Sequence, residues 1–375
     1  MKRRIFVILA AAVAFSVMLA ACGGGITAPS ETPEETAAET AEPDAGQAPE
    51  QTAQAPEFEF SLQNHDAPNG ATSRSLDVWA EAVGEASGGR IKITNFHGGS
   101  LGGPQDTYGM VKDGVADIGW GLASFYPGMF PATEVIALPF MGIKSAKQGG
   151  YALWELYDTT DFLKSEWTDV KVILIHTNCD APLLTRTKIE KVEDLRGMNL
   201  RIIGGPPTEW AKLVGANPMN ILLGEIYTSM EKGVISGITS TGWDVVNSFR
   251  FYEQGPYVLD YAIHVNACFL IMNKASYDSL PDDLKAVMDE MGGNGAIEVM
   301  GDIRDNEKVD VRQKILDAGG EIYELQPAEQ ARVEAFGEQA REIWMKSMND
   351  QGIEADALVA KTLELVEKHK DKAPN

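Results

Sequence analysis

From residue 58 onward, short apolar runs alternate with longer amphipathic ones, and this alternation most constrains the fold. "FEFSLQNH" (58–65) is strand-like and precedes the helical "SRSLDVWAEAVGEAS"; "RIKITNF" (90–96) precedes "PQDTYGMVKDG"; "VADIGWG" (115–121) runs into a loop of Gly, Pro and aromatic residues. After another helical stretch come "VKVILIHTN" (170–178), "NLRIIG" (199–204), a helix near "PTEWAKLVG", "GVISGITS" (233–240) and "HVNACFLIMN" (264–273). A long helical region broken near "GGNG", the strand "EIYEL" and a helix opened by "QPAEQ" follow. Strand then helix, repeated, predicts an α/β protein with mostly parallel sheets and helices on both faces. Roughly 320 residues suffice for two lobes, each with its own core. Ligands of such sheets bind beyond the carboxyl ends of the strands. Asn64, His65, Trp120, Asn178, Ser240 and Trp243 fall in those loops.

The chain before residue 58 has a different composition. "MKRRIFVILAAAVAFSVMLAAC" has a basic start, an apolar run and a small-residue end, the layout of a secretory signal peptide over residues 1–21. Its "LAAC" looks like a bacterial lipobox, with cleavage before Cys22 and diacylglycerol on that thiol; an unlipidated thiol beside an ordinary cleavage site is the plainer alternative. A lipid tether would bury roughly 0.8 kcal/mol per methylene. Residues 23–57 are Glu, Pro, Ala, Thr and Gly with almost nothing to bury, and so read as a disordered acidic leash. The expected location is the outer face of a cell membrane or the periplasm, held by lipid, because no later segment supplies the roughly 20 apolar residues of a span.

Of the formal net charge of -23, the opening segment contributes +3 and the leash -8, which leaves -18 on the body. With no basic stripe, nucleic acid is not an expected partner. An acidic body also repels anions at long range, so an anionic ligand needs a local cation. Arg201 in "NLRIIG" is the candidate, since it lies between Leu200 and Ile202 in what reads as a buried strand. A guanidinium cannot shed its proton, so it needs an anion or several acceptors beside it. That partner could be a ligand, or a protein acid such as Glu209 or Glu225. No nucleophile elbow, zinc-binding helix motif or phosphate loop is present, so neither catalysis, cofactor nor metal is expected. Cys179 and Cys268 could pair outside the cytoplasm or remain two buried thiols.

One segment, "GGSLGGPQDTYGMVKDGVADIGWGLASFYPGMFPATEVIALPF", resembles the solute-binding proteins of TRAP transporters, of the C4-dicarboxylate type. "VEDLRGMNLRIIGGP", "LVGANPMNILLGEIYTSMEKGVISG" and "NACFLIMNKASYDSLPDDLK" extend the match in order, over nearly all of residues 58–350. The resemblance implies a two-lobe clamp with a crossing hinge. Residues 58–178 with about 267–305 would form one lobe, 179–266 with about 306–340 the other, and 341–375 a C-terminal helical segment. It further implies capture of a small organic acid through a pair between Arg201 and its carboxylate, and delivery to a small and a large membrane subunit. The sequence departs from the family's pattern at Ala181 and Pro182, where some members carry a second arginine, and at Ser240, which holds the place of an asparagine. A second carboxylate would lack an obvious partner, although Arg186 or a lysine could serve. Trp120, Phe125, Tyr126 and Trp243 offer aromatic surface instead, and pockets combine apolar walls with a few polar anchors. The expected ligand is therefore an apolar or aromatic monocarboxylate; Phe125, Tyr126 and Phe269 also suit a core. The rival functions are an exported α/β enzyme and the binding protein of an ATP-driven importer or sensor.

Overall fold

The computed structural model describes residues 55–373. The signal segment, Cys22 and nearly all of the acidic leash lie outside the described residues. Two sheets organise the body. The first has the order β2-β1-β3-β10-β4, from strands β1 (Phe58–Gln63), β2 (Ile91–Phe96), β3 (Ile118–Leu122), β4 (Lys171–Thr177) and β10 (Ala267–Met272). The second has the order β11-β9-β5-β8-β6-β7, from β5 (Ala181–Thr185), β6 (Asn199–Arg201), β7 (Asn217–Met219), β8 (Gly237–Ile238), β9 (Tyr257–His264) and β11 (Glu321–Tyr323).

Both faces of the first sheet are covered, which explains why β3 and β10 read as continuous apolar runs. Alternation still sorts their side chains. Cys268, Leu270 and Met272 of β10 join the core of Leu62, Trp79 and Ile118, whereas Ala267, Phe269 and Ile271 face the core of Val111, Ile136 and Trp167. The helix Ala71–Ala86 links β1 to β2 and buries Leu76, Trp79 and Val83, which recur at helical spacing on one stripe.

The chain crosses between the sheets twice, side by side. β4 leads through residues 178–180 into β5, and β9 leads through 265 and 266 into β10. Pairing continues on both sides of the crossing, with Ala267 opposite Thr177 and Ala181 opposite His264. This double crossing is the hinge of the two-lobe form. It also reverses one strand in each sheet: β10 runs antiparallel to β3 and β4, and β5 antiparallel to β8 and β9. The other pairings are parallel. A third connection is the helix Gly293–Asp317, which packs on the helices Ala71–Ala86, Ala146–Thr159 and Trp243–Ser248 before leading to β11.

The sequence pattern differs from the structure in five strands, of which β5 and β7 have no counterpart in it because they are short and carry Pro182 and Pro218. The expected strand over 233–240 contracts to Gly237–Ile238, and the one over 199–204 stops at Arg201. β9 was not anticipated; its Asp260 and half-buried Tyr261 and Ala262 interrupt the apolar pattern where the strand bulges against β5.

Candidate ligand-binding site

Between the sheets, at the carboxyl ends of β1, β3, β6 and β8, lies a narrow cavity of about 40 Å³. His65, Asp66 and Thr72 line it from the β1 side, Trp120, Leu122 and Phe125 from β3, and Arg201 and Ile203 from β6. Ser240, Thr241 and Asp244 come from beyond β8, and Asn178 and Asn266 from the two crossings.

Arg201 is the last residue of β6 and only 2% exposed. Its Nε donates to the Ile221 carbonyl at 3.1 Å, and its Nη1 to the Ser240 carbonyl at 3.3 Å and to Thr241 Oγ1 at 2.9 Å. Among the described residues no acid lies within ion-pair distance, and Nη2 donates to no protein atom. Glu209 pairs with Lys212 at 3.3 Å. Burial pulls the guanidinium pKa down to about 9, the direction for a cation stripped of water beside neutral acceptors only. The cavity thus holds a fixed positive group with one donor arm unused.

The loop that receives this arginine is itself fixed. Ser240 adopts φ 60°, a left-handed conformation rare for a residue with a side chain. It is held by His264, whose Nε2 accepts from the Ser240 amide at 3.0 Å while Nδ1 faces the Val265 carbonyl at 3.1 Å. Burial and the Arg201 charge lower the His264 pKa to about 4, so the ring is neutral and its Nε2 is free to accept. The Ser240 carbonyl also receives Asn266 Nδ2 at 3.3 Å.

The opposite wall is aromatic. The Trp120 indole donates to His176 Nε2 at 3.0 Å, which fixes the ring. His65 lies against it at 5.2 Å and meets the edge of Phe125 at 5.4 Å. His65 Nδ1 is buried without a partner, and burial with the Arg201 charge lowers its pKa to about 4. Asn178 fastens the crossing by accepting the Asn266 amide on Oδ1 at 2.8 Å. Among the described residues its Nδ2 makes no protein hydrogen bond.

Of the residues singled out from the sequence, Arg201, Trp120, Phe125, Asn178 and Ser240 therefore meet around one cavity, with His65. Asn64 and Trp243 are placed elsewhere. Asn64 organises the turn after β1: Nδ2 donates to Asn95 Oδ1 at 2.7 Å, and Oδ1 accepts from the Asp66 amide at 2.9 Å and Ser73 Oγ at 3.1 Å. Trp243 is fully buried, with its indole donating to Asp180 Oδ2 at 3.2 Å and Arg312 over its ring at 5.4 Å. Tyr126 and Phe269 pack in the core of the first sheet, and Arg186 lies outside the cavity. Cys179 and Cys268 are separate buried thiols. Among the described residues no cluster of His, Cys, Asp or Glu is arranged to hold a metal, and no helix is long and apolar enough to cross a membrane. Thr241, His264, Asp66 and Asp244 were not anticipated; only the apolar setting of Arg201 gave a local signal in the sequence.

A two-lobed α/β clamp with a buried cation at the carboxyl ends of its strands defines a solute-binding protein. Residues 64–351 match the bacterial extracellular solute-binding proteins of family 7, and the chain belongs to that family. Among its relatives, the 2,3-diketo-L-gulonate-binding periplasmic protein YiaO from Escherichia coli is 23% identical over 79% of this chain and 88% of that protein. The uncharacterized protein YiiZ from Salmonella typhimurium is 25% identical over 44% of this chain, and there the chain spans half of the relative's length. A TRAP solute-binding protein from an unidentified marine microbe, specific for aromatic acid ligands and crystallised with 3-hydroxybenzoate, superposes with a TM-score of 0.79 at 30% identity, covering 84% of this chain and 99% of that one. One from Rhodoferax ferrireducens, with copurified benzoate, superposes with a TM-score of 0.79 at 28% identity, covering 84% and 99%.

Proposed function

We propose that this protein captures a small monocarboxylate with an aromatic or apolar body and delivers it to a TRAP-type carrier made of a small and a large membrane subunit. The observation that carries this reading is the unused Nη2 of the buried, counter-ion-free Arg201, which opens on a cavity walled by Trp120, Phe125, Ile203 and Leu223. A carboxylate there gains a charge-assisted, bidentate-capable partner that orients it as well as attracts it. The aromatic acids named for the two structural neighbours agree with such a cavity. Asn178 Nδ2 and the neutral His65 ring stand ready as further polar contacts.

The ligand experiment is direct. Purified protein is unfolded and any released small molecule identified by mass spectrometry, then a thermal-shift panel compares acids. Aromatic monocarboxylates raise Tm by mass action; the proposal fails if dicarboxylates raise it while monoacids do nothing.

The location of the clamp completes the reading. Residues 1–21 act as an export signal, Cys22 carries the lipid, and the leash to residue 57 lets the clamp range from the membrane surface to its carrier. Cys22→Ser abolishes incorporation of labelled palmitate into the protein while ligand binding in vitro stays at the wild-type level; palmitate labelling of the variant at the wild-type level excludes a lipid on Cys22.

A further inference from the structure

Arg201 is not the only charged group buried at the cavity. Asp66 is 3% exposed and Asp244 0%, and both line the same cavity. Each uses one carboxylate oxygen locally: Asp66 Oδ1 accepts the Ala67 amide at 2.9 Å, and Asp244 Oδ1 accepts the Val245 amide at 3.0 Å. The other oxygen, Oδ2, is buried in each without a close hydrogen bond: that of Asp244 has no donor at all, and Asp66 has only Thr72 beside it. Neither acid is within ion-pair distance of Arg201. Their nearest cation is Arg304, 1% exposed on the helix Gly293–Asp317 and lying over Trp120 at 5.3 Å. Its Nη1 is 3.7 Å from Asp244 Oδ2, within ion-pair range but beyond a hydrogen bond, and all three of its side-chain nitrogens lack a partner.

Buried carboxylate oxygens without donors are costly, and the cost falls on whatever fills the cavity without supplying one. Resting on the function proposed above, we infer that Asp66 and Asp244 form a second subsite that takes a hydroxyl on the body of the ligand and turns away a second carboxylate. A hydroxyl can donate its proton to an Oδ2 while the ligand's carboxylate pairs with Arg201. A second carboxylate brings no donor and meets two acids compensated by one guanidinium. Burial raises the pKa of Asp66 and pushes that of Asp244 up to about 6, so at pH 7 and above Asp244 is mostly ionised and accepts rather than donates. Sites built to hydrogen-bond a hydroxyl discriminate strongly against the analogue that lacks it, because their own polar groups are then left unpaired.

The test is isothermal titration of the full-length wild-type protein, freed of ligand by exchange, with benzoate, the three hydroxybenzoates and the benzenedicarboxylates. At least one hydroxybenzoate binds about tenfold or more tightly than benzoate, as a hydrogen bond to a charged group warrants, and every dicarboxylate binds more weakly than benzoate. In Asp244→Asn the advantage of the hydroxyl shrinks and the dicarboxylate penalty relaxes; should that variant not fold, the wild-type series decides alone. Benzoate binding as tightly as every hydroxybenzoate, or a dicarboxylate binding more tightly than benzoate, overturns the inference and leaves the function standing. Failure of every aromatic acid to bind overturns both.

Discussion

At the scale of single residues, Arg201 combines a cost and a use. A guanidinium removed from water without a counter-charge costs several kcal/mol, offset here by the Ile221 and Ser240 carbonyls and Thr241 Oγ1. In the function proposed here, the remaining arm pairs with the ligand's carboxylate. Removing one partner of a desolvated charge pair costs about 2–5 kcal/mol, so Arg201→Ala weakens binding of the true solute roughly 30-fold to several thousand-fold by calorimetry. Arg201→Lys is also damaging, because a point charge cannot reproduce the fork. Binding within threefold of wild type would refute the role. This residue was legible in the sequence because a permanent cation between apolar neighbours has few explanations. Asn64 was not distinguishable from Asn178, since asparagines that shape turns and asparagines that line a cavity sit in the same kind of loop. Asp66 and Asp244 leave no local mark, because their meaning comes from two loops that the fold joins across 178 positions.

At the scale of elements, β3 shows how a strand can be read correctly while its reason stays hidden. Gly119 and Gly121 lie on the face opposite Trp120, where neighbouring side chains fill the space a Cβ would occupy. A Cβ at Gly121 would stand 2.5 Å from Phe269 Cζ of β10. Gly121→Ala therefore overpacks the contact between β3 and β10 and destabilises the protein by about 1–3 kcal/mol in denaturant melts; a change within about 0.5 kcal/mol would show that the ring can move aside. Strand existence was legible for the long apolar runs of β4 and β10. Their relative direction was not: a strand covered on both faces carries the same unbroken apolar run whether its neighbour is parallel or antiparallel. The reversal of β10 and β5 follows from the double crossing, and that follows from pairings such as Ala181 with His264, more than eighty residues apart.

At the scale of the whole molecule, the two lobes also meet over the cavity, through the turn after β6. A Cβ at Gly204 would lie 3.6 Å from the Ser124 carbonyl, and one at Gly205 would lie 3.0 Å from Glu134 Oε1. This approach takes water from Glu134, and burial, with the Glu166 charge adding, raises its pKa from 4.5 to about 7. A carboxyl whose folded pKa is raised contributes stability that is full below its unfolded pKa and is lost as pH rises to the folded value. Ionising Glu134 thus works against the arrangement between about pH 4.5 and 7, and the penalty is complete above that. The buried His176 and His264 act in the other direction: with lowered pKa values their contribution is full above about 6.5 and is lost as pH falls. Glu134→Gln removes only the alkaline-side loss. It is more stable than wild type at pH 8 by about 1–2 kcal/mol, a figure discounted for the partial exposure of the group, and matches wild type near pH 4.5. If Glu134 is crowded only when the lobes approach, the variant also binds ligand more tightly at pH 8 and equally at pH 4.5. Parallel stability profiles for the two proteins across this range would show that ionising Glu134 has no bearing on how the lobes meet.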